Sequence, residues 1–110
     1  MTSITYVAAP YSHRSKHVME FRFLAINKVA SKMIRDGVCV FGPISHTHPI
    51  AESGGLPVDF DYWQRHNRAW LERCQKVVVL KLDGWTHSRG VAAEIEIARE
   101  LGIPVEYLEA

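Results

Sequence analysis

The four residues Val77-Val78-Val79-Leu80, inside the run Lys76 to Leu82, constrain this chain more than any other segment. They are consecutive, apolar and mostly β-branched, with no polar alternation. A strand of that kind is covered on both faces, as in the middle of a parallel sheet. Shorter strand-like runs are Ile4 to Ala9, ended by Pro10, then Val38 to Phe41 and Val105 to Leu108. Helical periodicity lies between them. From about His17 to Asp36, Phe23, Ile26, Ala30, Met33 and Ile34 share a stripe, and Phe21, Leu24 and Ala25 widen it. Gly37 stops this helix. A second helix is expected from Val58 or Asp59 to about Cys74, with Trp63, His66 or Asn67, Trp70 and Cys74 facing inward. A third runs from Gly90 to Leu101, ended by Gly102 and Pro104. Gly42 to Pro57 holds three prolines and the pair Gly54-Gly55, and reads as a long irregular loop. Asp83 to Arg89 reads as a shorter loop.

The order β-α-β-loop-α-β-α-β in 110 residues describes one domain, 1–110. Alternating strands and helices point to an α/β, flavodoxin-like three-layer fold with a small parallel sheet. Right-handed crossovers favour strand order 2-1-3-4. That order creates a topological switch point between the first and third strands, and ligands bind at the carboxyl ends of strands beside such a point. The segments there are Ala9-Pro10-Tyr11-Ser12-His13 and Asp83-Gly84-Trp85-Thr86-His87-Ser88.

Composition narrows the partners. Hydrophobic residues make up 47% and charged residues 23%, which excludes a disordered chain. The net charge is +1 with scattered Lys and Arg, so neither duplex nucleic acid nor a membrane surface is an expected partner. No apolar run approaches the ~20 residues of a membrane span. Cys39 and Cys74 both lie in apolar settings and read as small buried hydrophobes rather than a disulfide. The N-terminal MTSITYVAAPYS has no basic leader before a long apolar stretch. A cytoplasmic location is the expectation.

The last helix carries a carboxylate on the wrong side. At about 100° per residue, Val91, Ile95, Ala98, Leu101 and Ile97 span one arc, and Glu94 falls near its middle. Glu96 and Glu100 fall on the opposite, solvated side. A buried carboxylate costs free energy unless it is paired or hydrogen-bonded. Helix capping does not account for it, because a capping box from Ser88 needs an acid at position 91, which is Val91. The residues alone leave two readings open: a stabilising partner such as an ion pair or a tyrosine, or a chemically active carboxylate. Position favours the second, because Glu94 lies one turn inside the helix that starts at the predicted crevice. Ser88, Arg89 and Gly90 form that helix start, where backbone N–H groups and the helix dipole attract anions. Tyr6 lies within the first strand beside the crevice, where its phenol could donate to a carboxylate; by itself it reads first as an aromatic packing residue.

Six histidines raise the question of a metal. His46 and His48 could act as ligands, with His13, His66 or His87 as a third. No zinc-hydrolase helix signature or Cys-x-x-Cys pair accompanies them, so no metal is expected. No G-x-S-x-G elbow, P-loop or dinucleotide fingerprint is present, and no cofactor is expected.

Three segments then carry a resemblance: TYVAAPYSH, FGPISHTHPIAE and VVVLKLDGWTHSRGVAAEIEIARELGIPV. Together they resemble a small bacterial and phage family within the nucleoside 2-deoxyribosyltransferase-like superfamily. The likeness spans nearly the whole chain, and its most specific part is GW-x-x-S-x-G-x-x-x-E, from Gly84 to Glu94. The resemblance implies cleavage or exchange of the N-glycosidic bond of a nucleoside or nucleotide. It implies Glu94 as nucleophile, Tyr6 as the residue orienting it, and Ser88 as the seat of a 5′-phosphate. The aspartate common in the helix before the third strand falls on Asn67. An amide cannot exchange protons as a carboxylic acid does, so Asp83, Asp59, Asp61 or a histidine would supply the proton. Gly90, Pro10, Tyr11, Ser12, His46, Trp63 and Asp83 complete the expected substrate pocket. Relatives commonly assemble, so a homo-oligomer is expected. Two alternatives stay open: a non-catalytic nucleotide-binding or sensing domain, favoured by Asn67, and a metal-dependent hydrolase using His46 and His48.

Overall fold

A computed structural model describes residues 2–110. Its strands are β1 (Ile4–Ala8), β2 (Cys39–Phe41), β3 (Lys76–Lys81) and β4 (Val105–Glu109). Its helices are α1 (Lys16–Arg35), α2 (Pro43–Gly54), α3 (Phe60–Leu71) and α4 (Arg89–Glu100), with one 3-10 turn at Trp85–His87. The sheet is wholly parallel in the order β2-β1-β3-β4, which is the expected topology. The architecture is α/β and flavodoxin-like.

Strand residues divide between two cores. Tyr6, Ala8, Val77 and Val79 face α3 and α4, packing with Leu71, Cys74, Val91 and Ala98. Val7, Ala9, Leu80 and Leu82 face the other way, onto Ile26 and Ile44. β3, buried from Val77 to Leu80, is the covered central strand that its apolar run predicts. The register pairs Ala8, the last residue of β1, with Val79, and β3 runs only two residues further, so the loops that follow the two parallel strands share one rim.

The segment expected to be a long loop is instead mostly α2. Pro43 occupies the first helical turn, where its missing N–H is not needed. Gly55 adopts a left-handed conformation (φ +63°), and Leu56 N–H closes the end onto the Ala51 carbonyl at 2.9 Å. Ile44, Thr47, His48 and Ala51 form its buried face at helical spacing. Prolines at a helix start and on its exposed side were the misleading signal.

Three further expectations are corrected. On α3 the buried face is turned by one position: Leu71 is fully buried, whereas His66 and Trp70 are exposed. Trp70 instead stacks on Phe41 at 4.3 Å, covering the edge strand. On α1, Phe21, Leu24 and Ile34 are more than half exposed, because the four-stranded sheet covers only the arc around Ile26, Phe23, Val29 and Met33. Cys39 is exposed on edge strand β2, while Cys74 is buried as expected. No described helix is long and apolar enough to cross a membrane.

Candidate active site

Alternation along β1 sends Tyr6 to the α4 side of the sheet, where it is fully buried. Its hydroxyl donates to Glu94 Oε2. Glu94 lies on the buried face of α4 with Val91 and Ala98, and is only 5% exposed. Burial pushes its carboxyl up from 4.5 to about 7, while the Tyr6 hydroxyl pulls the other way. Tyr6 itself is raised well above its ordinary value, by burial first and then by the nearby Glu94. It therefore stays protonated and remains a donor. Near neutrality the carboxyl holds both charge states, the condition under which a carboxylate can serve as nucleophile or exchange protons.

Glu94 lines a cavity of about 630 Å³ at the carboxyl ends of β1 and β3, within the ordinary range for small-molecule sites. The β1–α1 loop contributes Pro10, Tyr11, Ser12 and His13, and the loop after β3 contributes Asp83 and Gly84. The starts of α2, α3 and α4 close the remaining sides. Arg22 straps the two crevice loops together. Its Nη1 donates to the Tyr11 and Ser12 carbonyls at 3.2 and 3.3 Å, and its Nη2 to the Asp83 carbonyl at 3.1 Å. Ser88 caps α4, its Oγ accepting from Val91 N–H at 3.2 Å. That bond leaves the hydroxyl proton to donate to a ligand. Arg89, beside it, is held by both oxygens of Asp61 at 2.9 and 2.7 Å.

Residues 3–110 match the family model described as DUF1937, a domain of unknown function. The chain belongs to this family. No curated protein matches it.

In this DUF1937 chain the expected site residues gather with one exception. Glu94, Asn67, Ser88, Gly90, Pro10, Tyr11, Ser12, Trp63 and Asp83 all line the cavity, with Tyr6 directly behind Glu94. Asn67 Oδ1 is, among the described residues, the one buried side-chain polar atom without a hydrogen-bond partner, so a ligand donor would satisfy it. Several expected contacts are already engaged within the protein. The Ser12 hydroxyl donates to the Val58 carbonyl at 2.8 Å, and Trp63 Nε1 to the Pro57 carbonyl at 2.8 Å. The Tyr11 hydroxyl meets His48 Nδ1 at 2.6 Å. These three build the wall by fixing the α2–α3 connection and α2 itself. Gly90 faces the Phe60 ring, which an added methyl would touch at 3.4 Å, so it serves packing between α4 and α3 as well.

His46 is the exception, because it lies outside the cavity lining. It stacks on His66 with ring centroids 5.3 Å apart and packs beside Phe41 and Trp70. Being two positions from His48 on a helix, it points to a different side, which removes the His46–His48 metal reading. Arg22 was missed among the site residues. Its signal, a basic residue within the apolar stripe of α1, is visible in the sequence only once the stripe is known to face the sheet.

Proposed function

We propose that this chain breaks the N-glycosidic bond of a nucleoside or nucleoside 5′-monophosphate, by hydrolysis or base exchange, through retaining double displacement on Glu94. The observation that carries the reading is a buried carboxylate, held by a tyrosine donor, on the wall of a cavity at the switch point. The resemblance to the nucleoside 2-deoxyribosyltransferase-like superfamily supports it through the same two residues. Glu94 bonds to C1′ as the C1′–N bond breaks, and the electron pair leaves with the base, which takes up a proton. The adjacent carboxylate stabilises the oxocarbenium-like transition state. Water, losing a proton to the group that protonated the base, or a second base then attacks C1′ from the vacated face and releases Glu94 as the carboxylate. Asn67 Oδ1 accepts from the sugar or base, and Asp83, His13 or His87 on the same wall supplies the proton. No cofactor is required. The exposed Phe21, Leu24 and Ile34 supply apolar area through which a homo-oligomer forms.

Incubation with a panel of nucleosides and 5′-monophosphates, followed by chromatography for free base, tests the proposal. Base release with retained configuration in the transfer product supports it. Tight binding without base release selects instead a sensing domain, the reading that Asn67 favours. Ser88 is tested separately. Ser88→Ala should raise the KM for a 5′-monophosphate about 10-fold more than that for the matching nucleoside, since a charge-assisted hydrogen bond is lost. Equal effects on both would remove Ser88 from the phosphate seat. The lost helix cap should also lower stability by about 1 kcal/mol, measurable by urea unfolding.

A further inference from the structure

We propose that Glu20, His48 and Glu52 form a binding site for a divalent transition-metal ion of the zinc type, separate from the Glu94 cavity. His48 Nε2 lies 3.0 Å from Glu20 Oε2 and 3.2 Å from Glu52 Oε2. One ligand atom from each of the three residues lies within 4.8 Å of the others. Adjacent ligands around an ion with bonds of about 2.1 Å are roughly 3.0–3.4 Å apart in octahedral or tetrahedral geometry. The observed spacings to the imidazole already approach that.

The imidazole is built in rather than incidental. His48 is nine-tenths buried, and its ring stacks on Phe23 with centroids 4.1 Å apart. Tyr11 Oη holds Nδ1 at 2.6 Å. With one face and one nitrogen fixed, Nε2 is the atom presented to both carboxylates. Such a hydrogen bond to the far nitrogen is what orients metal-ligating histidines. The tyrosine hydroxyl can donate to Nδ1 or accept from it, so rotation of one O–H suffices to give the tautomer with a free Nε2 lone pair.

Charge points the same way. Two carboxylates converge on a group that carries at most one positive charge, and a single N–H cannot fully serve both. A divalent ion balances both carboxylates and takes the neutral imidazole as its third ligand. One nitrogen and two carboxylate oxygens suit zinc and its neighbours rather than a soft thiolate-seeking ion. His48 and Glu52 are one turn apart on α2, and Glu20 comes from α1, so the ion would tie the two helices together. The three residues border a second cavity of about 580 Å³, which leaves room for water to complete the coordination. Tyr11 lines both cavities, so it links the metal site to the wall of the first.

The test is titration of the untagged full-length chain with Zn²⁺, read by calorimetry and by thermal unfolding. One Zn²⁺ should bind per chain, and Tm should rise by about 5 °C or more at a hundredfold excess over Kd. Glu20→Gln and Glu52→Gln alter exposed side chains and leave the core intact. Each should weaken binding at least about 10-fold. His66→Gln, which dismantles the stacked His46–His66 pair, should leave binding unchanged. The proposal is overturned by no saturable binding, by binding that survives Glu20→Gln and Glu52→Gln together, or by binding lost in His66→Gln.

Discussion

Glu94→Gln is expected to abolish at least about 10³-fold of base release while making the protein more stable above neutral pH. The two effects share one cause. The folded chain holds the Glu94 proton up to about pH 7, whereas the ordinary value is 4.5. Below 4.5 both folded and unfolded chains bind this proton, and Glu94 imposes no penalty. Between 4.5 and about 7 the unfolded chain releases the proton first, so stability falls as pH rises. Above about 7 both are ionised, and the penalty is complete, on the order of 3 kcal/mol. Glutamine is neutral at every pH, and its Oε1 can still accept from the Tyr6 hydroxyl. Urea unfolding of both proteins should therefore give similar stability at about pH 4 and a clear advantage for the variant at about pH 8.5. Unchanged turnover of a confirmed substrate would sink the catalytic assignment. A variant less stable at the alkaline end would show that the carboxylate is a structural partner.

Tyr6→Phe should shift the pH dependence of base release toward alkali by about one unit and lower the rate at pH 7 by at least about 5-fold. The hydroxyl stabilises the ionised carboxylate, so its loss moves the Glu94 carboxyl further above about 7. Phenylalanine keeps the ring that packs among Ala8, Val77 and Leu71, so the fold should hold, with a loss of about 1–2 kcal/mol from the missing bond. In the proposed mechanism Tyr6 is a positioning residue that acts through Glu94. If ionisation alone is affected, the two enzymes converge at high pH. If aim is also lost, a constant ratio remains there. A profile that does not move would end the role given to this hydroxyl.

Much of this architecture was legible because the strongest signals were local. The Val77–Leu80 run identified the central strand, and crossover handedness then selected the order of the sheet. Glu94 stood out because a charged residue in an apolar arc violates the helical pattern, and such violations mark sites. What escaped depended on tertiary context. Pro43, Pro49 and Gly55 punctuate α2, yet in isolation they look like loop chemistry. The inward face of α3 depended on choosing between Trp70 and Leu71, and only the packed sheet reveals that Trp70 is needed at the Phe41 edge. Cys39 looked buried because its strand-like run is apolar, whereas β2 is a three-residue edge strand that leaves it exposed. His46 was assigned to the cavity from its loop-like setting, and its placement in a helix turns it toward His66.

Ser88 and Glu94 share one rigid element. Ser88 caps α4 and Glu94 lies six positions on, about 9 Å along the axis, with only helix between them. Movements of the crevice loops can therefore widen or narrow the entrance without altering that interval. Under the proposed function the helix would act as a fixed gauge, sorting substrates by the span between their anionic end and their reacting carbon, whatever the surrounding loops do.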